Sequence, residues 1–208
     1  MLELLDLTIA YDGQAPLVTG LNVTVPKGEI RLLQGPSGCG KSTLLGVISG
    51  TADSAVRRRG GIRLDGADIC HLAAEHRGVG LMFQDALLFP HMSVGDNLAF
   101  GLAAHHRHDR AGRVQAALEA ADLAGFADRD PASLSGGQAA RVALMRTLLA
   151  EPRALLMDEA FSALDPELRH AFATFVRDRI RDWHIPALLV SHDAGDAAFA
   201  DGQPVRLR

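Results

Sequence analysis

The sequence predicts an α/β fold, a mostly parallel sheet covered on both faces with a helical block inserted into it. Three observations carry this. Short branched apolar runs alternate with helical patterns, the stretch from Ser93 to about Ala150 is helical throughout, and strands return after it. The chain has 208 residues, 48% hydrophobic and 22% charged, enough for one well-cored domain and too few for two of ordinary size.

Leu2–Ala10 and Val18–Val25 are rich in branched residues, with Asp12-Gly13 as the turn between them. Glu29–Gln34 is a short apolar run ending at Gly35, and a helical pattern begins at Lys41. Gly60-Gly61 and Asp65-Gly66 bracket a short strand, Ile62–Leu64, and Val79–Phe83 is another. Three helices follow: Ser93–Leu102, Arg110–Ala124 and Gly136–Ala150. In the last, Val142, Met145 and Leu149 recur at amphipathic spacing. Ala154–Met157 and Ala187–Ser191 read as strands, with a helix from Glu167 to about Trp183 between them. Gly202–Arg208 reads as a short tail.

The 21 basic and 25 acidic residues give a formal net charge of −4, which argues against a nucleic-acid surface and a polybasic membrane anchor. Two cysteines, Cys39 and Cys70, are too few for a disulfide framework and fit a reducing cytosol. No signal-peptide pattern opens the sequence, and no apolar run approaches the length of a bilayer span. Only Lys27 and Lys41 are lysines; every other basic residue is an arginine.

Lys41 closes the string Gly35-Pro36-Ser37-Gly38-Cys39-Gly40-Lys41-Ser42, which fits G-x-x-x-x-G-K-[ST] between a strand and a helix. Glycines in such a loop let backbone N–H groups turn inward around phosphate oxygens, and the helix N-terminus adds positive potential. Lys41 is suited to the β- and γ-phosphates and Ser42 to Mg²⁺, with Thr43 as a second hydroxyl. The chain is therefore expected to bind a nucleoside triphosphate. Asp158-Glu159 ends an apolar strand, where acids face the ligand crevice of a parallel sheet. Asp158 is placed to hold Mg²⁺, directly or through water, and Glu159 to polarise an attacking water. Leu134-Ser135-Gly136-Gly137-Gln138 precedes the amphipathic helix. A cap explains the serine but not two glycines, so this is read as a second anion site.

These strings resemble the motifs of ATP-binding cassette (ABC) ATPases over nearly the whole chain. Gly35–Ser42 is similar to the Walker A loop, Asp158 and Glu159 to the end of Walker B, and Leu134–Gln138 to the signature LSGGQ. Gln84 matches the Q-loop, Ser162–Asp165 the D-loop, His192 the switch histidine, and Tyr11 the aromatic that stacks on adenine. The resemblance implies a P-loop NTPase (RecA-like) core with an N-terminal antiparallel β subdomain and an inserted helical subdomain. The core and β subdomain would take residues 1–84 and 151–208, and the helical subdomain about 85–150.

It also implies chemistry. Glu159, His192 and Lys41 would be catalytic, with Glu159 the general base and His192 at the γ-phosphate. Tyr11, Gly35–Thr43, Gln84 and Asp158 would bind ATP, and Ser42, Gln84 and Asp158 would hold Mg²⁺. Ser135, Gly136, Gly137, Gln138 and Asp165 would reach the ATP of a second subunit, itself or a homologue, paired head-to-tail. Integral membrane permease subunits would hold the chain at the cytoplasmic face of the inner membrane, a solute-binding protein would serve them, and no nucleic acid is involved. The run Gln84–His91 followed by Ser93–Leu98 is similar to importers, where Phe89 and its apolar neighbours would receive a membrane-subunit helix; core packing is the competing reading. An exporter subunit and a soluble non-transport ABC ATPase are the alternatives. Ala160 stands where many relatives carry proline, and the short tail implies that a C-terminal regulatory domain is missing.

Two basic clusters are expected to be plain surface. His105-His106-Arg107-His108 lies between helical segments with no carboxylate or cysteine at ligand spacing, and Arg57-Arg58-Arg59 reads as an exposed loop. Cys39 sits where a helix N-terminus and Lys41 favour a thiolate, so a thiol reagent is expected to block nucleotide binding.

Overall fold

The computed structural model describes residues 1–207. In chain order the elements are β1 (Leu2–Tyr11), β2 (Val18–Val25), β3 (Ile30–Gln34), α1 (Lys41–Ser49), β4 (Val56–Leu64), β5 (Ala67–Asp68) and β6 (Val79–Met82), then α2 (Val94–Phe100), α3 (Arg110–Ala120), α4 (Gly136–Leu148), β7 (Ala154–Asp158), α5 (Pro166–Asp182), β8 (Ala187–Ser191) and β9 (Val205–Arg206). They group into two compact units. One takes Met1–Leu81, Arg153–Glu159 and the chain from Arg177; the other takes Met82–Pro152 and Ala160–Val176.

The first unit holds two sheets. Four strands in the order β2-β1-β4-β5 form one, antiparallel at each pairing, and five in the order β6-β7-β8-β3-β9 form the other. In the second sheet β7 and β3 flank β8 in parallel register, and β9 adds in parallel to β3. Burial follows from this pairing. In β2, Leu21, Val23 and Val25 are buried while Asn22 and Thr24 are exposed, as one covered face requires. The central parallel strands are instead covered on both faces, and Leu155, Leu156, Leu188 and Leu189 are all fully buried. Leu44, Leu45 and Ile48 of α1 join one core with Leu2 and Leu4 of β1 and Leu156 of β7.

Three expectations change. Gly60-Gly61 does not open a strand, because β4 runs through it from Val56. Gly60 lies opposite a bulge in β1, where the register shifts and Asp6 takes a left-handed φ of 48°. A Cβ at Gly60 would collide with the Asp6 carbonyl, and Gly60 itself has φ 86°, so the glycine accommodates the bulge. The arginine run is consequently strand, not loop, although Arg57, Arg58 and Arg59 stay exposed. The tail is likewise structured: Val205-Arg206 is an edge strand, Leu207 is buried, and its N–H donates to the Gln34 carbonyl at 2.8 Å.

The second unit is helical. Val94 and Leu98 of α2, Val114 and Leu118 of α3, and Val142, Met145 and Leu148 of α4 are among its buried apolar residues. Among the described residues no helix is long and apolar enough to cross a membrane.

Candidate functional site

The parallel register fixes the site. Gln34 pairs with Ser191 and Asp158 with Val190, so β3, β7 and β8 end side by side. Their next residues are Gly35, Glu159 and His192. The glycine loop, the acidic pair and the histidine therefore leave one sheet edge together, the carboxyl edge where parallel sheets bind ligands.

The loop leads into α1 through Gly40, whose φ of 93° places it in the left-handed region, and no side chain caps the helix. The first N–H groups of α1 are thus left for an anion rather than for a capping oxygen. A Cβ at Gly40 would sit 2.9 Å from the Leu17 Cβ, so the close approach also demands glycine. Lys41, only 5% exposed, donates from Nζ to the carbonyls of Gly35 at 3.0 Å and Pro36 at 2.9 Å. Its ammonium is 3.6 Å from Glu159 Oε1. The other carboxylate oxygen, Oε2, lies 3.1 Å from His192 Nδ1. Glu159 holds this bridging position with a left-handed φ of 48°, its N–H donating to the Val190 carbonyl at 3.0 Å. A carboxylate between an ammonium and an imidazole at a cavity wall is poised to take a proton from water and has a cation beside it to offset phosphate charge.

A cavity of about 290 Å³ opens over the loop. Its lining combines the apolar surface of Tyr11 and Leu17 with the polar groups of Ser37, Lys41, Ser42, Thr43 and Glu159. An aromatic ring, three hydroxyls and an ammonium are groups suited to a base and to phosphates. Of the residues expected to hold Mg²⁺, Ser42 presents its hydroxyl to this cavity and Asp158 ends β7 with a carboxylate, whereas Gln84 belongs to the second unit. An oxygen-only set of this kind suits a hard divalent cation.

The remaining sequence-predicted residues stand on the second unit. Gln84 is exposed just beyond β6, and Asp165 is exposed with its carboxylate accepting the Leu168 N–H at 3.0 Å. Ser135 caps α4 in a full capping box. Its Oγ accepts the Gln138 N–H at 3.3 Å, and the Gln138 Oε1 accepts the Ser135 N–H at 3.0 Å. Gln138 therefore has an internal structural task that the sequence reading did not foresee. Gly136 and Gly137 lie against Leu164 and Leu168, where a Cβ would make only ordinary contacts of 3.7 and 3.5 Å. The pair is not forced by packing.

Cys39 departs from expectation. Its thiol is half-buried against the core, on the side where a Cβ at Gly35 would meet it at 2.6 Å, and it is not part of the cavity wall. Sequence reasoning missed Arg77 altogether. This buried guanidinium donates to the carbonyls of Val47, Ile48, Leu72 and Cys70, which closes the C-terminal end of α1. Burial pushes its pKa down, yet the charge remains and complements the negative end of the phosphate-loop helix. No local pattern marks it, since its partners lie 5–30 residues away.

Residues 18–162 match the family model described as ABC transporter. The chain is 46% identical over 184 residues to the uncharacterized ABC transporter ATP-binding protein YnjD of Escherichia coli, covering 88% of this chain and 85% of the relative. It is 40% identical over 198 residues to the Fe(3+) ions import ATP-binding protein FbpC 1 of Haemophilus influenzae, covering 94% of this chain but only 59% of that protein. Among solved structures, the ATP-binding cassette MJ0796, a dimer in a post-hydrolysis state bound to ADP and Pi, superposes with a TM-score of 0.80 at 26% identity. That likeness covers 100% of this chain and 94% of the other.

Proposed function

The chain belongs to the ABC transporter family, and from that premise we propose that it is the ATP-hydrolysing subunit of an importer. The observation that carries this reading is the bridge from Lys41 through Glu159 to His192 at the wall of the phosphate-loop cavity. Tyr11 stacks on the base, and the loop amides of Gly35–Thr43 with Lys41 hold the phosphates. Glu159 takes the proton of the attacking water while His192 orients that carboxylate and contacts the γ-phosphate. Mg²⁺, held by Ser42, Gln84 and, through water, Asp158, offsets charge on the phosphates when bound.

A second copy, or a homologous subunit, completes each site with Ser135, Gly136, Gly137, Gln138 and Asp165; the dimeric state of the MJ0796 cassette supports this pairing. In this reading residues 85–150 are the inserted helical subdomain. Its exposed Leu87 and Phe100, beside Phe89, take a helix of an integral membrane permease, and a solute-binding protein delivers the cargo. The relative named for Fe(3+) import supports the direction. The chain thus works peripherally at the cytoplasmic face of the membrane, without nucleic acid.

Glu159→Gln tests the chemistry. It should bind ATP, lose about 10²–10⁴ in turnover, and accumulate an ATP-bound dimer on size-exclusion chromatography. Near-normal turnover would remove Glu159 from its role. Co-purification with an integral membrane chain, and ATPase stimulated by solute in proteoliposomes, test the importer assignment.

A further inference from the structure

The histidine run is not a loop. Ala104–Asp109 forms 3₁₀ turns, and these bring His105 and His106 against Glu151, which follows α4. His105 Nε2 lies 3.0 Å from Glu151 Oε2, and His106 Nε2 lies 2.7 Å from Oε1. Two adjacent imidazoles, with ring centres 4.1 Å apart, thus aim the same nitrogen at the two oxygens of one carboxylate. The backbone holds them there. The Ala103 N–H donates to the Leu149 carbonyl at 2.9 Å, and the Glu151 N–H to the Leu148 carbonyl at 2.8 Å.

We propose that His105, His106 and Glu151 form a Zn²⁺ site on the helical unit. The three ligand atoms lie within 4.8 Å of one another. Tetrahedral Zn²⁺ with bonds of about 2.0–2.2 Å sets its ligand atoms roughly 3.4 Å apart. Against that spacing the two nitrogen–carboxylate separations, 3.0 Å to Oε2 and 2.7 Å to Oε1, are short by roughly 0.4 and 0.7 Å, which side-chain rotation opens. Two imidazole nitrogens and one carboxylate oxygen suit a borderline cation, whereas Mg²⁺ and Ca²⁺ favour oxygen alone. The His105 side chain is 65% exposed, so the outer side stays open for water as fourth ligand.

Arg113 controls access. Its guanidinium lies 3.1 Å from His106 Nδ1, and a guanidinium only donates, so Nδ1 accepts and the ring proton sits on Nε2, facing Glu151. Zn²⁺ at Nε2 moves that proton to Nδ1, where it would confront the Arg113 donor. The imidazole stays neutral, and Arg113 must withdraw; Asp109 Oδ2, 3.9 Å from its Nε, is the waiting partner. Removing Arg113 therefore strengthens the site instead of weakening it, a response that simple loss of packing would not give.

The full chain, stripped of metal and free of nucleotide, is titrated calorimetrically with Zn²⁺ and, by visible absorption, with Co²⁺ alone. One site per chain should appear, weakened at least about tenfold in His105→Ala and in Glu151→Gln. Arg113→Leu should tighten it severalfold. If the His105→Ala/Glu151→Gln double variant binds Zn²⁺ as the unaltered chain does, there is no site here. If Arg113→Leu weakens binding while its metal-free unfolding remains cooperative, the tautomer argument fails.

Discussion

The two lysines do different work on the same unit. Lys41 is buried at the glycine loop, where a compact ammonium on a flexible stem meets the carbonyls of Gly35 and Pro36 and, in the proposed reaction, the phosphates. Lys27 instead joins the Met1 amino group and Arg153 around Asp65, at 3.2 Å for Lys27 and for Arg153. Burial by itself would raise the Asp65 pKa. Hydrogen bonds from the amino terminus, Lys27 and Arg153 outweigh it and hold the carboxyl at about 2. Because the folded value lies below the unfolded one, the stabilisation is complete above about pH 4 and disappears as pH falls through about 2. Asp65→Asn should cost about 1 kcal/mol at pH 7, the partial exposure screening much of the charge effect. Urea melts of both proteins at pH 7 and near pH 2 check this: the difference should vanish at the acid end, and one that persists there would assign it to packing.

At the scale of elements, the segment before α2 is held by one buried amide. Asn97, fully buried, accepts the Phe89 N–H at 2.8 Å through Oδ1 and donates through Nδ2 to the carbonyls of Phe89, Met92 and Ser93. Arg146 of α4 ties the same stretch by donating to the carbonyls of Ala86 and Leu87, with its guanidinium 5.2 Å from the Phe89 ring centre. Asn97→Leu leaves several of these groups buried without partners and should cost about 2–4 kcal/mol. Hydrogen exchange should rise at residues 86–93 while nucleotide affinity at the phosphate loop persists. Unchanged protection there would mean that the amide does not hold the segment.

The same contrast separates what could be read in the sequence from what could not. Val18–Val25 and Ala187–Ser191 match their strands at both ends because alternation and continuous apolarity are local signals. The phosphate loop is legible for the same reason, its chemistry lying within eight consecutive residues. β9, the extension of β4 through Gly60, and Glu151 beside two histidines 45 and 46 residues earlier were not legible. Each depends on a partner far along the chain, and a glycine opposite a bulge looks locally like a strand end. Arg77 and Asn97 belong with them, polar residues whose burial is justified only by backbone groups that folding brings near.

For the whole molecule, the proposed pairing places the phosphate loop and the signature of one active site on different copies. Ser135→Arg on its own is ambiguous, because Ser135 also caps α4, and losing the cap costs about 1 kcal/mol. Complementation removes the ambiguity. Chains carrying Lys41→Ala should be inactive for want of a working phosphate loop, and chains carrying Ser135→Arg should bind ATP as monomers but fail to hydrolyse it. In a mixed dimer both lesions fall on one site, and the other joins an intact phosphate loop to an intact signature. With random exchange half of the dimers are mixed and each has one such site, so an equimolar mixture should regain about a quarter of the unaltered activity. If each chain were catalytically complete on its own, mixing would restore nothing. A single ATPase titration of one variant into the other decides between these outcomes, and its maximum should fall at equal proportions, since only the mixed dimer carries a whole site.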